Sequence, residues 1–497
     1  MCGIAGVFQG PARQIVKTMV KSIAHRGPDG QGVTEIQNGT LGHTRLAILD
    51  VERGHQPMDF QETSIVFNGE IYNYRELKRK YLPDLHVKTH SDTEVLIHLY
   101  RKMGPKCVKL LDGMFAFAIL HKGEFFLARD PIGIKPLYYG KSANGGQIHF
   151  ASEIKALVGQ VAEIREFPAG YWYHSRRGWH NYYQLEKTIH PFDGAELDAL
   201  PVIKSMLRSA VYKRLLADVP VGVSLSGGLD SSIVTTLARE ETEQLHSFAV
   251  GVEGSPDLEA ARQMSRHLDT VHHEYVYSTQ DMVEALPHVL YHLESFDPAL
   301  VRSAIPNYFL AKLASQYVKV ILTGEGADEI FAGYDYLARY ETPDDLQDEM
   351  IHITKALHNT NLQRADRMSM AFGLEARVPF LDVKSVSLAM GIPADWKLHH
   401  TRTPKALLRQ SFAEDLPLEI VNRPKAKFSK GAGSSELIAQ EAVEKITDQE
   451  FASERDRLKK DWDHNLQNKE ALYYYRILRE YYDDGWILPN MGKSRSL

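Results

Sequence analysis

Val219 to Ala238 reads VPVGVSLSGGLDSSIVTTLA, and this stretch decides the fold. Val219–Leu225 is short, apolar and rich in Val, as in a strand buried on both faces of a parallel sheet. Ser226-Gly227-Gly228-Leu229-Asp230-Ser231-Ser232 follows at once, and Ile233–Ala238 reads as helix. A strand, a glycine turn with hydroxyls and a helix N-terminus make an anion site. Free backbone N–H groups and the positive end of the helix dipole face the loop. The two glycines let the backbone approach a bulky anion with no Cβ in the way. The loop lacks the Lys of a G-x-x-x-x-G-K-[ST] pattern and the spacing of G-x-G-x-x-G. A carboxylate beside phosphates implies a shared Mg²⁺, and Asp230 supplies one. The competing reading is a plain glycine turn capped by Ser and Asp.

Strand and helix alternate beyond this loop. Leu245–Val252 is a second apolar strand, Ser255-Pro256-Asp257 opens a helix running to Leu268, and His272–Val276 is a third strand. The pattern predicts a parallel sheet with helices on both faces, whose ligands sit beyond the carboxyl ends of the strands. His272 and His273 have no Cys or carboxylate at zinc spacing and read as polar edge residues. Val318–Glu329, VKVILTGEGADE, repeats the device of strand, glycine turn and carboxylates. On one sheet edge Asp328 would face Asp230, and two such carboxylates can share Mg²⁺ that neutralises a pyrophosphate. Glu325, between two glycines, has no packing explanation.

The first half begins differently. Cys2 precedes Gly3–Phe8, which reads as a buried strand. A small penultimate residue permits removal of the initiator Met, which would leave a thiol beside its own α-amine. That amine, with a pKa of about 7.7–8.0, can act as the thiol's base for attack on a carboxamide. The plain alternative is a small core side chain. Polar motifs follow in order: His25–Gly30 (HRGPDG), Gly42–Leu49 (GHTRLAIL), Phe67–Asn73 (FNGEIYN), Ser91–Glu94 (SDTE), Gly113–Ala118, Arg129–Tyr138 and Ala151–Leu157. SDTE opens a helix through Tyr100 with a capping-box pattern. Residues 185–199, broken by Pro191 and Gly194, read as a linker, and Leu200–Leu216 as an amphipathic helix.

Residues 2–185 resemble the glutaminase domain of class II glutamine amidotransferases, an α+β N-terminal-nucleophile sandwich of two sheets between two helix layers. The resemblance implies that Cys2 is the nucleophile and that Asn68 and the Gly69 N–H form the oxyanion hole. It implies that Arg45 holds the glutamine α-carboxylate, with Leu46, Ala47, Ile48 and Leu49 bordering the substrate. Glu70 and Asp92 would hold the α-ammonium.

SGGLDSS and GEGADE resemble the ATP-pyrophosphatase family, an α/β parallel-sheet fold of the adenine nucleotide α-hydrolase kind, here spanning residues 200–490. With Arg364–Ser369, Leu374–Asp382 and Arg423–Ser429, the chain resembles the glutamine-dependent asparagine synthetases of the bacterial B type. This implies amidation of aspartate through β-aspartyl-AMP, with ATP and Mg²⁺ and with glutamine as ammonia source. Ser226, Gly227, Gly228, Ser231 and Ser232 would cradle phosphates. Leu225, Val250, Thr323 and Gly324 would border the nucleotide, and Asp230 and Asp328 would hold Mg²⁺. Glu325 would position or deprotonate ammonia. Lys425 would stabilise developing charge, with Lys427 as its rival, and Arg302 would lie near the acceptor. The segment before Arg302, Asp297-Pro298-Ala299-Leu300-Val301, lacks the hydroxyls expected there, so a related enzyme acting on a cell-wall or peptide carboxyl is the alternative. The family also suggests a homodimer.

Bulk composition sets the outer bounds. The 497 residues, 43% hydrophobic and 25% charged, fit a soluble chain of two to four domains. A net charge of −6 gives no case for nucleic acid or an anionic membrane. No apolar run reaches the ~18 residues of a membrane span. The N-terminus has no secretory pattern, and two cysteines make no disulfide framework. The cytosol is the expected compartment.

Overall fold

The computed structural model describes residues 2–398, 404–424 and 428–492. Twelve of the described strands lie in the first half: β1 (Gly3–Phe8), β2 (Gly30–Ile36), β3 (Gly39–Arg45), β4 (Met58–Phe60), β5 (Thr63–Ile71), β6 (Gly113–His121), β7 (Glu124–Arg129), β8 (Tyr138–Lys141), β9 (Ile148–Ala151), β10 (Arg165–Glu166), β11 (Tyr171–His174) and β12 (Gly178–Asn181). They form two six-stranded antiparallel sheets, β10-β8-β9-β1-β3-β2 and β12-β11-β7-β6-β5-β4.

Side-chain alternation along the strands explains the stacking. Ile4, Phe8 and Leu41 of one sheet meet Val66, Ala118, Leu120 and Leu127 of the other in a single buried layer. The opposite face of β5–β7 packs through Phe67, Phe117 and Phe126 on the helix Asp92–Met103, whose Leu96, Leu99 and Tyr100 point inward. The helix Arg13–Ser22 buries Val16, Met19 and Val20 against the first sheet. The result is a helix–sheet–sheet–helix sandwich with β1 in the interior of its sheet, so Cys2 starts at the mouth of a rigid strand.

The second half is built on β13 (Val221–Ser224), β14 (His246–Gly251), β15 (Val271–Val276), β16 (Val320–Leu322) and β17 (Glu375–Arg377). All neighbours are parallel, in the order β15-β14-β13-β16-β17. The strand β13 and its helix Leu229–Glu241 therefore stand beside β16 and its short helix Ala327–Ile330, which sets the two glycine loops side by side. The structure moves two helix boundaries and changes one cap. The helix read from Leu200 starts at Glu196, inside the expected linker, and tolerates Pro201 within its first turns. The helix from Asp92 runs to Met103. In place of a capping box, Ser91 Oγ accepts from Thr93 N, while Glu94 turns back to take the N–H groups of Lys88 and Thr89.

The halves share apolar cores. Leu46, Ile48 and Met114 belong to the same cluster as Leu207, Leu225 and Phe331, and Val16 and Tyr138 join Leu290 and Phe309 in another. No helix among the described residues is long and apolar enough to cross a membrane.

Candidate active sites

Cys2 is buried, and its backbone nitrogen donates to Asn68 Oδ1 at 3.1 Å. That bond turns the Asn68 Nδ2 away, where it is fully buried and has no partner among the described residues. An orphaned buried donor costs about 1–3 kcal/mol, so its place next to a thiol demands an explanation. A developing oxyanion supplies one. Gly69 follows in the same strand with φ +152°, and a Cβ there would stand 2.0 Å from Met114 O. Only glycine lets β5 and β6 pair at this point. The Cys2 Sγ sits 3.9 Å from Leu46 O, and burial pushes the thiol above its ordinary range.

The loop after β3 curls around Arg45, whose guanidinium donates to Val51 O at 2.8 Å and Asp50 O at 2.7 Å. Leu46, Ala47, Ile48 and Leu49 are all buried in that loop, past the end of β3 at Arg45. Glu70 and Asp92 lie close enough for their charges to repel. Burial, then Glu375, then Asp92 push Glu70 well up, against the pull of Arg377, whose Nη2 is 3.4 Å away. Burial pushes Asp92 up to about 6 even though Ile71 N donates to it at 2.8 Å. Burial and mutual repulsion thus disfavour the charged forms of both carboxyls.

The two glycine loops border a cavity of about 580 Å³. Ser226, Ser231, Asp230, Thr323, Glu325 and Asp328 all line it. Gly227 takes φ +65° against Ala260, and Ser226 Oγ and Ser231 Oγ meet at 3.1 Å. A Cβ on Gly324 would stand 2.8 Å from the Asp230 Cβ, so the loops touch only because residue 324 is glycine. Glu325 pairs with Arg364. Leu225 and Val250 instead bury their side chains in the core, and Ser232 Oγ is buried without a partner among the described residues. Lys425 and Lys427 lie outside the described residues.

Arg302 is held in an ion pair. It sits on the helix Pro298–Ala314, but its Nε donates to Glu470 Oε1 at 2.8 Å and its Nη2 to Glu470 Oε2, which ties it to the helix Lys469–Leu478. Helical phase decides this: Ser303 and Asn307 line the cavity and Arg302 does not.

Two residues lining the cavity have no role assigned from the motifs. Glu329 is buried, accepts from Tyr334 Oη at 2.6 Å and Asn361 Nδ2 at 3.2 Å, and is pushed up to about 7 by burial and by Asp328. Its signal was the final Glu of GEGADE. Lys405 sits between Asp230 and Asp328, with Nζ 2.6 Å from each carboxylate. No local pattern announces it.

A buried charge cluster joins the two sites. Arg26 Nε donates to Cys2 O at 3.1 Å, and its Nη1 reaches Glu153 at 2.6 Å and Asp366 at 2.8 Å. Arg367 Nη2 holds Glu294 at 3.0 Å, and Glu294 accepts from Lys155 N at 2.8 Å. Against the upward push of burial, Lys155, His25, Arg367 and Arg26 hold Glu153 well below its ordinary value. Asp366 lies on the helix Asn361–Met370, which also carries Arg364 to Glu325.

A nucleophile site at one end of this cluster and a phosphate-type loop pair at the other make the chain a glutamine-dependent amidotransferase of the ATP-activating class. Residues 1–173 match a glutamine amidotransferase domain, and residues 202–346 and 338–486 match asparagine synthase. A glutamine-hydrolysing asparagine synthetase of Sandersonia aurantiaca is 38% identical over 97% of this chain and 96% of its own length. That of Asparagus officinalis is 38% identical over 97% of this chain and 85% of its own. Asparagine synthetase B of Escherichia coli (strain K12) is 36% identical over 99% of this chain and 93% of its own length. The chain belongs to the glutamine-hydrolysing asparagine synthetases.

Proposed function

We propose that the residues placed above carry out ATP-dependent amidation of aspartate with nitrogen from glutamine. Residues 2–185 act as the glutaminase unit and residues 200–490 as the synthetase unit. Glutamine enters with its α-carboxylate on Arg45 and its α-ammonium on Glu70 and Asp92. The Cys2 thiolate attacks the amide carbon, and Asn68 Nδ2 and the Gly69 N–H take the oxyanion. Ammonia leaves, and water releases glutamate from the thioester.

In the second unit the aspartate β-carboxylate attacks the α-phosphate of ATP, giving β-aspartyl-AMP and pyrophosphate. The activation is needed because a carboxylate oxygen is too poor a leaving group for direct amidation. Ammonia then attacks the acyl carbon and expels AMP. The hydroxyls and N–H groups of Ser226–Ser231 receive phosphate oxygens. Glu325, braced by Arg364, orients ammonia and takes its proton. Lys425 lies in a segment whose basic charge suits the pyrophosphate or the activated carboxylate.

Asp230 and Asp328 fit a divalent cation, since oxygens of both converge within 2.7 Å of one nitrogen, and an all-oxygen donor set suits Mg²⁺. When bound there, Mg²⁺ supplies charge neutralisation for the departing pyrophosphate. We further propose a homodimer acting in the cytosol.

The observation that carries this reading is the unpartnered Asn68 amide beside Cys2. The test is an incubation with aspartate, glutamine and MgATP. Asparagine, glutamate, AMP and pyrophosphate are expected in equal amounts, and absence of AMP overturns the reading. Cys2→Ala should abolish use of glutamine but leave free ammonia as donor.

A further inference from the structure

The position between Asp230 and Asp328 already holds a cation. Lys405 Nζ lies 2.7 and 2.6 Å from the two Asp230 oxygens and 2.6 Å from Asp328 Oδ1. The side chain is 3% exposed, so this is a seated ion pair and no surface contact. The surroundings are shaped for it. Lys405 adopts φ +62°, a left-handed conformation unusual for a residue with a Cβ and a strain that the site must hold in place. A Cβ on Gly333 would stand 2.2 Å from Lys405 Cε and 2.1 Å from Asp328 Oδ1, so the arm passes only over a glycine.

An ammonium has three donors and no acceptor. It can neutralise two facing carboxylates, but it cannot share their inner oxygens with a metal. We propose that Lys405 is a placeholder cation. It occupies the metal position while the site is without nucleotide and yields it when metal and triphosphate arrive together. The inference rests on the reading that Asp230 and Asp328 take Mg²⁺ with ATP. A point charge on a flexible stem is suited to this exchange, because once displaced it stays beside the phosphates as a counter-charge. The placeholder keeps free metal from loading alone and keeps two carboxylates from repelling in an enclosed cavity.

The test uses the full chain and Mn²⁺ as probe, followed by electron paramagnetic resonance. With Mn²⁺ alone, wild type should bind weakly and Lys405→Gln at least tenfold more tightly, with the gain lost in Lys405→Gln/Asp230→Asn. Lys405→Met serves as second variant should the amide not fold, and circular dichroism checks each. Equal Mn²⁺ affinity in wild type and in the folded variant overturns the placeholder. The underlying metal reading is tested separately with Mn²⁺ plus an α,β-methylene ATP analogue. Binding that Asp230→Asn abolishes in wild type upholds that reading even where the placeholder fails.

Discussion

Arg26 Nη1 and Asp366 Oδ2 meet at 2.8 Å across the junction of the two halves, 340 residues apart in sequence. The same guanidinium holds the carbonyl of the nucleophilic cysteine, and the same helix braces Glu325. The helix Asn361–Met370 therefore carries one contact toward each site, Asp366 to Arg26 and Arg364 to Glu325.

Asp366→Ala leaves Arg26 fully buried with only part of its compensation. Breaking a buried pair from one side costs about 3–5 kcal/mol. Chemical denaturation should report a loss of that order, and glutamine-dependent turnover should fall more than ammonia-dependent turnover because Arg26, which holds the Cys2 carbonyl, loses one of its two carboxylates.

Asn68→Ala removes the orphaned donor. Loss of one oxyanion donor lowers kcat by about 10²–10³. Glutaminase kcat should drop by that factor with the KM for glutamine little altered, and synthesis from free ammonia should persist.

Asp92 gives a pH signature. Its carboxyl is raised from 3.8 to about 6, so below pH 6 it is neutral and attracts an ammonium poorly. The kcat/KM for glutamine should fall as pH drops through about 6, while Asp92→Asn should be weakly active and flat across that window. The sign for stability is opposite. The contribution of a raised acid is full below pH 3.8 and is lost as pH rises through about 6.

Lys397 is fully buried, its Nζ has no partner among the described residues, and burial pushes it from 10.5 down to about 7. Between those values the unfolded chain binds the extra proton, so folding stability rises with pH across the window. Lys397→Met should stabilise the protein at pH 7 by something on the order of 4 kcal/mol. Denaturation at pH 7 and at a mildly alkaline pH should show the slope present in wild type and absent in the variant.

Gly333→Ala places a methyl group against both Asp328 Oδ1 and Lys405 Cε. AMP formation should fall sharply while glutamate release by Cys2 continues. Comparable loss of both would mean general unfolding.

The parts that could be read from sequence are those whose chemistry is local. The two glycine loops could be read because strand, turn and hydroxyls lie within a few residues of each other, whereas Cys2 and Asn68-Gly69 read singly as core and turn and took their roles from the family resemblance. Motif order says nothing about helical phase: Ser303 lines the cavity, while Arg302, one position earlier, pairs with Glu470. Lys405 was illegible because its partner Asp230 lies 175 residues away and it carries no motif of its own. Arg26 read as a polar turn residue, yet it is 0% exposed, since its carboxylates come from positions 127 and 340 residues downstream. Asn68 marked a site from sequence alone, but only the structure reveals that its amide is spare.

The shared cores have a consequence for the chain as a physical object. Leu46 and Ile48 share one buried cluster with Leu207 and Leu225, and Glu153 finds its counter-charges on both sides of the join. The segment 193–195, exposed between the two halves, is therefore a covalent convenience and no hinge. A protease cutting there should leave a nicked particle that elutes as one species and still makes asparagine. Either piece synthesised alone would present water with apolar and ionic faces shaped only for the other.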